Sequence, residues 1–154
     1  MNKYTRRNIY MTLIRPVVTY TCRTRTLSVW DINNLLVFER QILRKICGSI
    51  QCKEVWRIRS NKELQKLIKG ADNVQYTKAQ RIKWWGHLNR KEEIKLVKKI
   101  AEWNPIRVRT KGWPKNRWRD GVIYDLKKLK LWNWNQLIKD TNAWNNLVQK
   151  TKPK

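Results

Sequence analysis

Arg81-Ile82-Lys83-Trp84-Trp85-Gly86-His87-Leu88-Asn89-Arg90 lies near the middle of the chain and alternates bulky aromatic residues with cations. Read as a helix, it gathers Ile82, Trp85 and Leu88 on one face and leaves Arg81, Lys83 and Arg90 mostly off it. One side is built to pack and the other to meet an anion. The same pairing of indole and cation recurs in Trp113-Pro114-Lys115-Asn116-Arg117-Trp118-Arg119, so both segments read as parts of one nucleic-acid-facing surface.

Working outward, the pattern around this stretch predicts a helix from about residue 73 to 90. Before it, Ser60-Asn61-Lys62-Glu63 has the spacing of a capping box, in which the Ser hydroxyl and the Glu carboxylate satisfy each other's free amides. Leu64, Leu67 and Ile68 follow as a short apolar stripe ending at Gly70. Further back, Leu35, Phe38, Ile42 and Ile46 mark a helix with Asp31 as its N-cap and Gly48 as its stop. A basic helix over Tyr4 to Leu13 should be interrupted at Arg15-Pro16, because proline lacks an amide hydrogen and disfavours a helical residue before it. Val17 to Tyr20 is compatible with helix or strand, residues 21–28 read as a polar loop, and residues 49–59 as irregular chain.

On the other side, Ile94, Val97 and Ile100 or Ala101 predict a helix within residues 92–103. Two prolines, a glycine and the run Arg107-Val108-Arg109-Thr110-Lys111 make residues 104–116 an extended basic connector. Trp118, Val122, Leu126 and Leu129 mark one more helix, and Trp134, Leu137, Trp144, Leu147 and Val148 a last one. No useful two-residue alternation and no fixed repeat is present. The expected fold is all-α, with about six or seven short helices.

The chain has 154 residues, a length that suits a single domain with a real core or the tail of something larger. Its 36 Lys plus Arg against 11 Asp plus Glu give a formal net charge of +25 and a sequence pI near 10.6. Such a chain repels itself, and a polyanion that releases condensed counterions is the natural relief, so nucleic acid leads as partner. No membrane association is expected, because no stretch approaches the ~18 apolar residues of a spanning helix. Cys22, Cys47 and Cys52 are an odd count without a signal peptide, which points to reduced thiols and a nuclear or cytoplasmic protein that is not secreted. Ten Trp against one Phe is the oddest feature, since an indole can close a core or stack on a base.

Catalytic chemistry finds little to stand on. Two-metal catalysis needs clustered carboxylates, and the only adjacent acids, Glu92-Glu93, point about 100° apart on a helix. Asp120 and Asp125 read as charges that complement a helix dipole. Cys47 and Cys52 have four residues between them, and Cys22 and His87 lie far off, unlike the close pairs of a structural zinc site. A lone His without a Gly-flanked Ser or Cys is no nucleophilic centre, and the five glycines are too dispersed to cradle a phosphate. No cofactor, metal or catalytic residue is therefore expected. What remains is cations interleaved with Trp, which can neutralise phosphates while the indole stacks on a base or sugar. The candidates are Arg81, Lys83, Trp84 and Arg90 centrally, then Arg107, Arg109, Lys111, Lys115, Arg117 and Arg119. Trp85 and Trp118 fall on the apolar stripes and are assigned to the core.

Five blocks occur in an informative order: Thr12 to Tyr20 (Thr-Leu-Ile-Arg-Pro-Val-Val-Thr-Tyr), Phe38 to Ile46 (Phe-Glu-Arg-Gln-Ile-Leu-Arg-Lys-Ile), Trp56 to Leu64, Arg81 to Arg90, and Pro114-Lys115-Asn116-Arg117-Trp118 with Asp125-Leu126. Together they resemble, over nearly the whole chain, the C-terminal part of insect non-LTR (LINE-type) retrotransposon endonuclease–reverse transcriptases. The resemblance implies a thumb-like helical region over residues 1–70 and a basic, Trp-rich helical region over 71–154. These would grip template RNA, primer or target DNA beside a polymerase palm. In that family the palm carries a Tyr-x-Asp-Asp type motif, and this chain has no adjacent Asp pair, so no polymerase or endonuclease residue carries over. Two departures stand out: Thr21-Cys22-Arg23-Thr24-Arg25 where the family tends to Gly-Ser-Glu-Thr-Trp, and Gly112-Trp113-Pro114 for Gly-Arg-Pro. The alternatives are a free-standing helical DNA-binding protein, with Arg81 to Arg90 as its recognition helix, and a decayed fragment with no independent function.

Overall fold

A computed structural model describes residues 2–52, 54–67, 72–92, 95–103 and 117–152. Among the described residues the chain is mostly helical, as its periodicity predicts, with one small hairpin. Helix α1 (Lys3–Ile9) is capped by the Asn2 side chain, which accepts from the Tyr4 amide. The expected interruption at Pro16 does not occur. The chain passes through a π-helical turn, Tyr10–Ile14, in which the Arg15 amide reaches back to the Tyr10 carbonyl. It then continues as α2 (Arg15–Val18) with Pro16 in the first turn. There the helix tolerates a residue without an amide hydrogen, so a change of register replaces a break.

Helix α3 (Val29–Cys47) starts three residues earlier than Asp31 would set it. Ser28 is the N-cap and Asp31 is its capping-box partner, and Gly48 ends the helix at a φ of 68°. The buried face also differs from the expected stripe. It carries Glu39, Leu43 and Cys47, whereas Phe38 stays 38% exposed, because α1 and the helices described next pack on that side. Residues 49–59, expected to be irregular, form an antiparallel hairpin of β1 (Ile50–Cys52) and β2 (Val55–Arg57), with Gln51 opposite Trp56. Arg57 pairs with Glu63 at 2.6 Å and holds that carboxyl down at about 2. The Ser60/Glu63 capping box is present and opens α4 (Asn61–Leu67), whose Leu64 is buried.

Helix α5 (Asn73–Asn89) is the axis of the molecule, capped by Asp72. After it come α6 (Leu96–Glu102), α7 (Trp118–Lys128), α8 (Trp134–Lys139) and α9 (Thr141–Thr151). The single last helix of the sequence reading is two. Asp140 breaks it by turning its carboxylate onto the Asn142 and Ala143 amides, which makes it the N-cap of α9. Helix α6 buries none of its residues; Val97 and Ile100 of its predicted stripe are exposed, and Ile94 lies outside the described residues.

Two apolar clusters result. The larger joins Ala79, Ile82 and Trp85 of α5 to Val122 and Leu126 of α7, Ile138 of α8, and Trp144 and Val148 of α9. Trp144 lies against Gly86 so closely that a Cβ there would overlap the indole, and its Nε1 donates to the Ile82 carbonyl at 3.2 Å. The smaller comprises Tyr10, Leu43, Cys47 and Leu64. The two fall on either side of residue 70 and are bridged. Trp118 Nε1 donates to the Arg23 carbonyl at 2.8 Å, Arg15 lies 4.0 Å over the Tyr76 ring, and Tyr10 and Asn73 share a buried hydrogen bond.

Candidate nucleic-acid interface

The spacing along α5 decides what faces outward. Trp84, His87 and the C-cap Arg90 follow at intervals of three, and Lys83 lies four residues before His87, so all four share the side of the C-terminal half of α5 away from Ile82 and Trp85. Across a cleft of about 360 Å³ stand Thr141 and Asn145, one turn apart on α9, and Arg23 from the loop after α2. Each part is fixed by the fold. The Trp118 indole anchors the Arg23 backbone, and Arg90 donates to the Ile138 carbonyl at 3.1 Å while keeping its other donors for the cleft. Trp84 stacks on His87 with ring centroids 5.2 Å apart and planes 27° from parallel. Three cations and an aromatic platform thus surround one concavity with no acid among the described residues that line it.

His87 loses its proton more readily than an ordinary histidine. Partial desolvation is the main cause, followed by repulsion from Lys91, Arg90 and Arg23. At neutral pH the imidazole therefore supports Trp84 as a neutral ring. A bound phosphate would reverse part of this by offsetting the cations.

Among the residues singled out by sequence, Lys83, Trp84 and Arg90 come together here. Arg81 does not. It is 3% exposed, its Nη1 lies 3.7 Å from the Asp125 carboxylate, and its Nη2 donates to the Trp118 carbonyl at 3.2 Å. A side chain so enclosed ties α5 to α7 and cannot reach a phosphate. Asp125, read from sequence as a dipole charge, is buried in mid-α7 and also binds Lys78 at 2.9 Å. Arg117 and Arg119 are exposed at the start of α7. Arg107, Arg109, Lys111 and Lys115, with the connector 104–116, lie outside the described residues. Trp85 is buried between Trp118 and Trp134, at centroid distances of 5.9 and 5.7 Å, as its apolar stripe implies.

The sequence reading missed Arg23, Thr141 and Asn145, and took His87 only as a lone histidine. Arg23 and Arg25 in an otherwise Thr-rich loop were a usable signal. Nothing on α9 singles out Asn145, since only the approach of α9 to α5 gives it a role. The same packing bears on the recognition-helix alternative. Ten of the 17 residues of α5 are buried, so a groove could meet only its outward residues, among them Lys83, Trp84 and His87.

Among the described residues no group of three or more His, Cys, Asp or Glu side chains could hold a metal ion, and no helix is long and apolar enough to cross a membrane. None of the three cysteines is in a disulfide; Cys22 and Cys47 are buried and Cys52 is exposed. No protein-family model matches this chain, and no curated protein or solved structure matches it either.

Proposed function

We propose that this chain is a non-catalytic nucleic-acid-binding piece of a non-LTR retrotransposon reverse transcriptase, one that grips template, primer or target DNA. The observation that carries the binding reading is the convergence of Arg23, Lys83 and Arg90 around the Trp84–His87 stack in one cleft with no acid among its described lining residues. Arg23 from the loop after α2 is brought up to Lys83 and Arg90 of α5, and a polyanion would offset the repulsion among them. The net charge of +25 adds a long-range attraction of the same sign. The parentage rests on the five ordered blocks, and the chemistry of bond formation belongs to the palm of that parent. Val17, Tyr20, Val29 and Trp30 are each exposed by 73% or more, and on this reading they are candidates for contact with the palm. Such a protein works where nucleic acid is, in the nucleus or cytoplasm.

The test is affinity for an RNA–DNA hybrid as a function of salt. If about six phosphates are neutralised, log affinity should fall against log salt with a slope near −0.9 times that number. A flat line removes the reading. Replacing Lys83 by Ala should reduce the slope by about one contact without changing the fold, since Lys83 is exposed.

A further inference from the structure

The cleft has features that suit a flexible single strand better than a duplex. It is a half-open groove lined by α5, by α9 and by the Arg23 loop, and its volume of about 360 Å³ is of the order that one small-molecule-sized group fills. A duplex offers a convex ridge of phosphates with its bases stacked away inside. Trp84 is half-buried and braced by His87, so its indole is a fixed platform, and a base can use such a platform only after leaving its own stack. Opposite it, Thr141 and Asn145 present uncharged donors and acceptors of the kind a base edge pairs with, and the cations stand around them.

We propose that the cleft takes one unpaired nucleotide of a single-stranded RNA or DNA segment, its base against Trp84 and its flanking phosphates on Arg23, Lys83 and Arg90. This rests on the reading of the cleft as a nucleic-acid interface and adds the form of nucleic acid that it selects. Arg90 reaches its phosphate with the donors not engaged by Ile138, and Asn145 offers its amide to the base edge.

The experiment is fluorescence anisotropy on the full chain at fixed salt with labelled oligo-dT, oligo-rU and a blunt duplex of the same length. Both single strands, or one of them, should bind at least about ten-fold more tightly than the duplex. Trp84→Ala should cost the single strand about ten-fold and leave duplex affinity unchanged, and Trp84→Phe, which keeps an aromatic face, should restore most of it. Circular dichroism of both variants checks that the helices persist. Equal losses on single strand and duplex, or a duplex preference, would overturn this inference while a steep salt slope kept the nucleic-acid reading alive. Polyglutamate competing as well as oligo-dT would make the cleft a site for acidic chains and overturn it too. Failure to bind any of the three polynucleotides would end both readings together.

Discussion

The two cores of this protein solve the same problem by different means. Around Trp144, α5, α7, α8 and α9 bury indoles and aliphatic side chains against one another, with Gly86 as the floor under the ring. Around Tyr10, the apolar cluster is thinner and a polar group closes it. Glu39, 3% exposed, accepts from the Tyr10 hydroxyl at 3.0 Å and from the Asn73 amide at 3.2 Å, and the Asn73 side chain donates to the Tyr10 oxygen at 2.8 Å. Burial pushes the Glu39 carboxyl above its usual range and, with Glu39 beside it, the Tyr10 hydroxyl far above its own. The difference teaches that a core rich in Trp rests mainly on close packing, with the Trp144 indole N–H to Ile82 as a supplement. One that lacks them fixes its helices through directed hydrogen bonds and becomes sensitive to pH.

The comparison is broken most forcefully at Trp144. Trp144→Ala should cost about 3–5 kcal/mol, because it removes a fully buried ring and leaves a cavity where four helices meet; the urea midpoint reads this directly. Gly86→Ala should cost less. A Cβ there overlaps a fully buried indole with no room to swing aside, so overpacking costs toward the upper end of about 1–3 kcal/mol, and a gain of about 1 kcal/mol in helix propensity still leaves a net loss. A variant as stable as the parent would show that the floor under Trp144 is not tight.

The smallest effect sharpens the contrast between the cores. Because the Glu39 carboxyl titrates higher in the folded than in the unfolded chain, the folded state binds the extra proton. The stability linked to this site is therefore fully present below the ordinary glutamate value and is lost as pH rises through the raised one. Glu39→Gln removes that dependence, so parent minus variant stability should fall with rising pH above ~4.3, measured by urea unfolding across a pH series. Trp144→Ala should show no such change in slope. A parallel pH dependence in parent and Glu39→Gln would dismiss the carboxyl as the source of pH sensitivity in the smaller core.

Local signals in the chain proved reliable. Ser60 and Glu63 are close enough in sequence to cap one another wherever the helix docks, and Ile82, Trp85 and Leu88 share a face by helical geometry alone; all three are buried. The hairpin was hidden because strands of three residues carry no alternation to read. The break at Asp140 was hidden because Trp134, Leu137, Trp144 and Val148 all enter the same cluster and read as one stripe. Arg81 misled for another reason: its charge looked solvent-directed until Asp125, far along the chain, was packed beside it.

By itself the sequence determined the helical class, the axial helix with its packed face, and the excess of positive charge, since periodicity, caps and charge are properties of neighbours along the chain. Only the tertiary structure decided which cations stay outside. It withdrew Arg81 into an ion pair and set Arg23, Lys83 and Arg90 around Trp84, because a residue's exposure depends on which distant helix comes to rest against it.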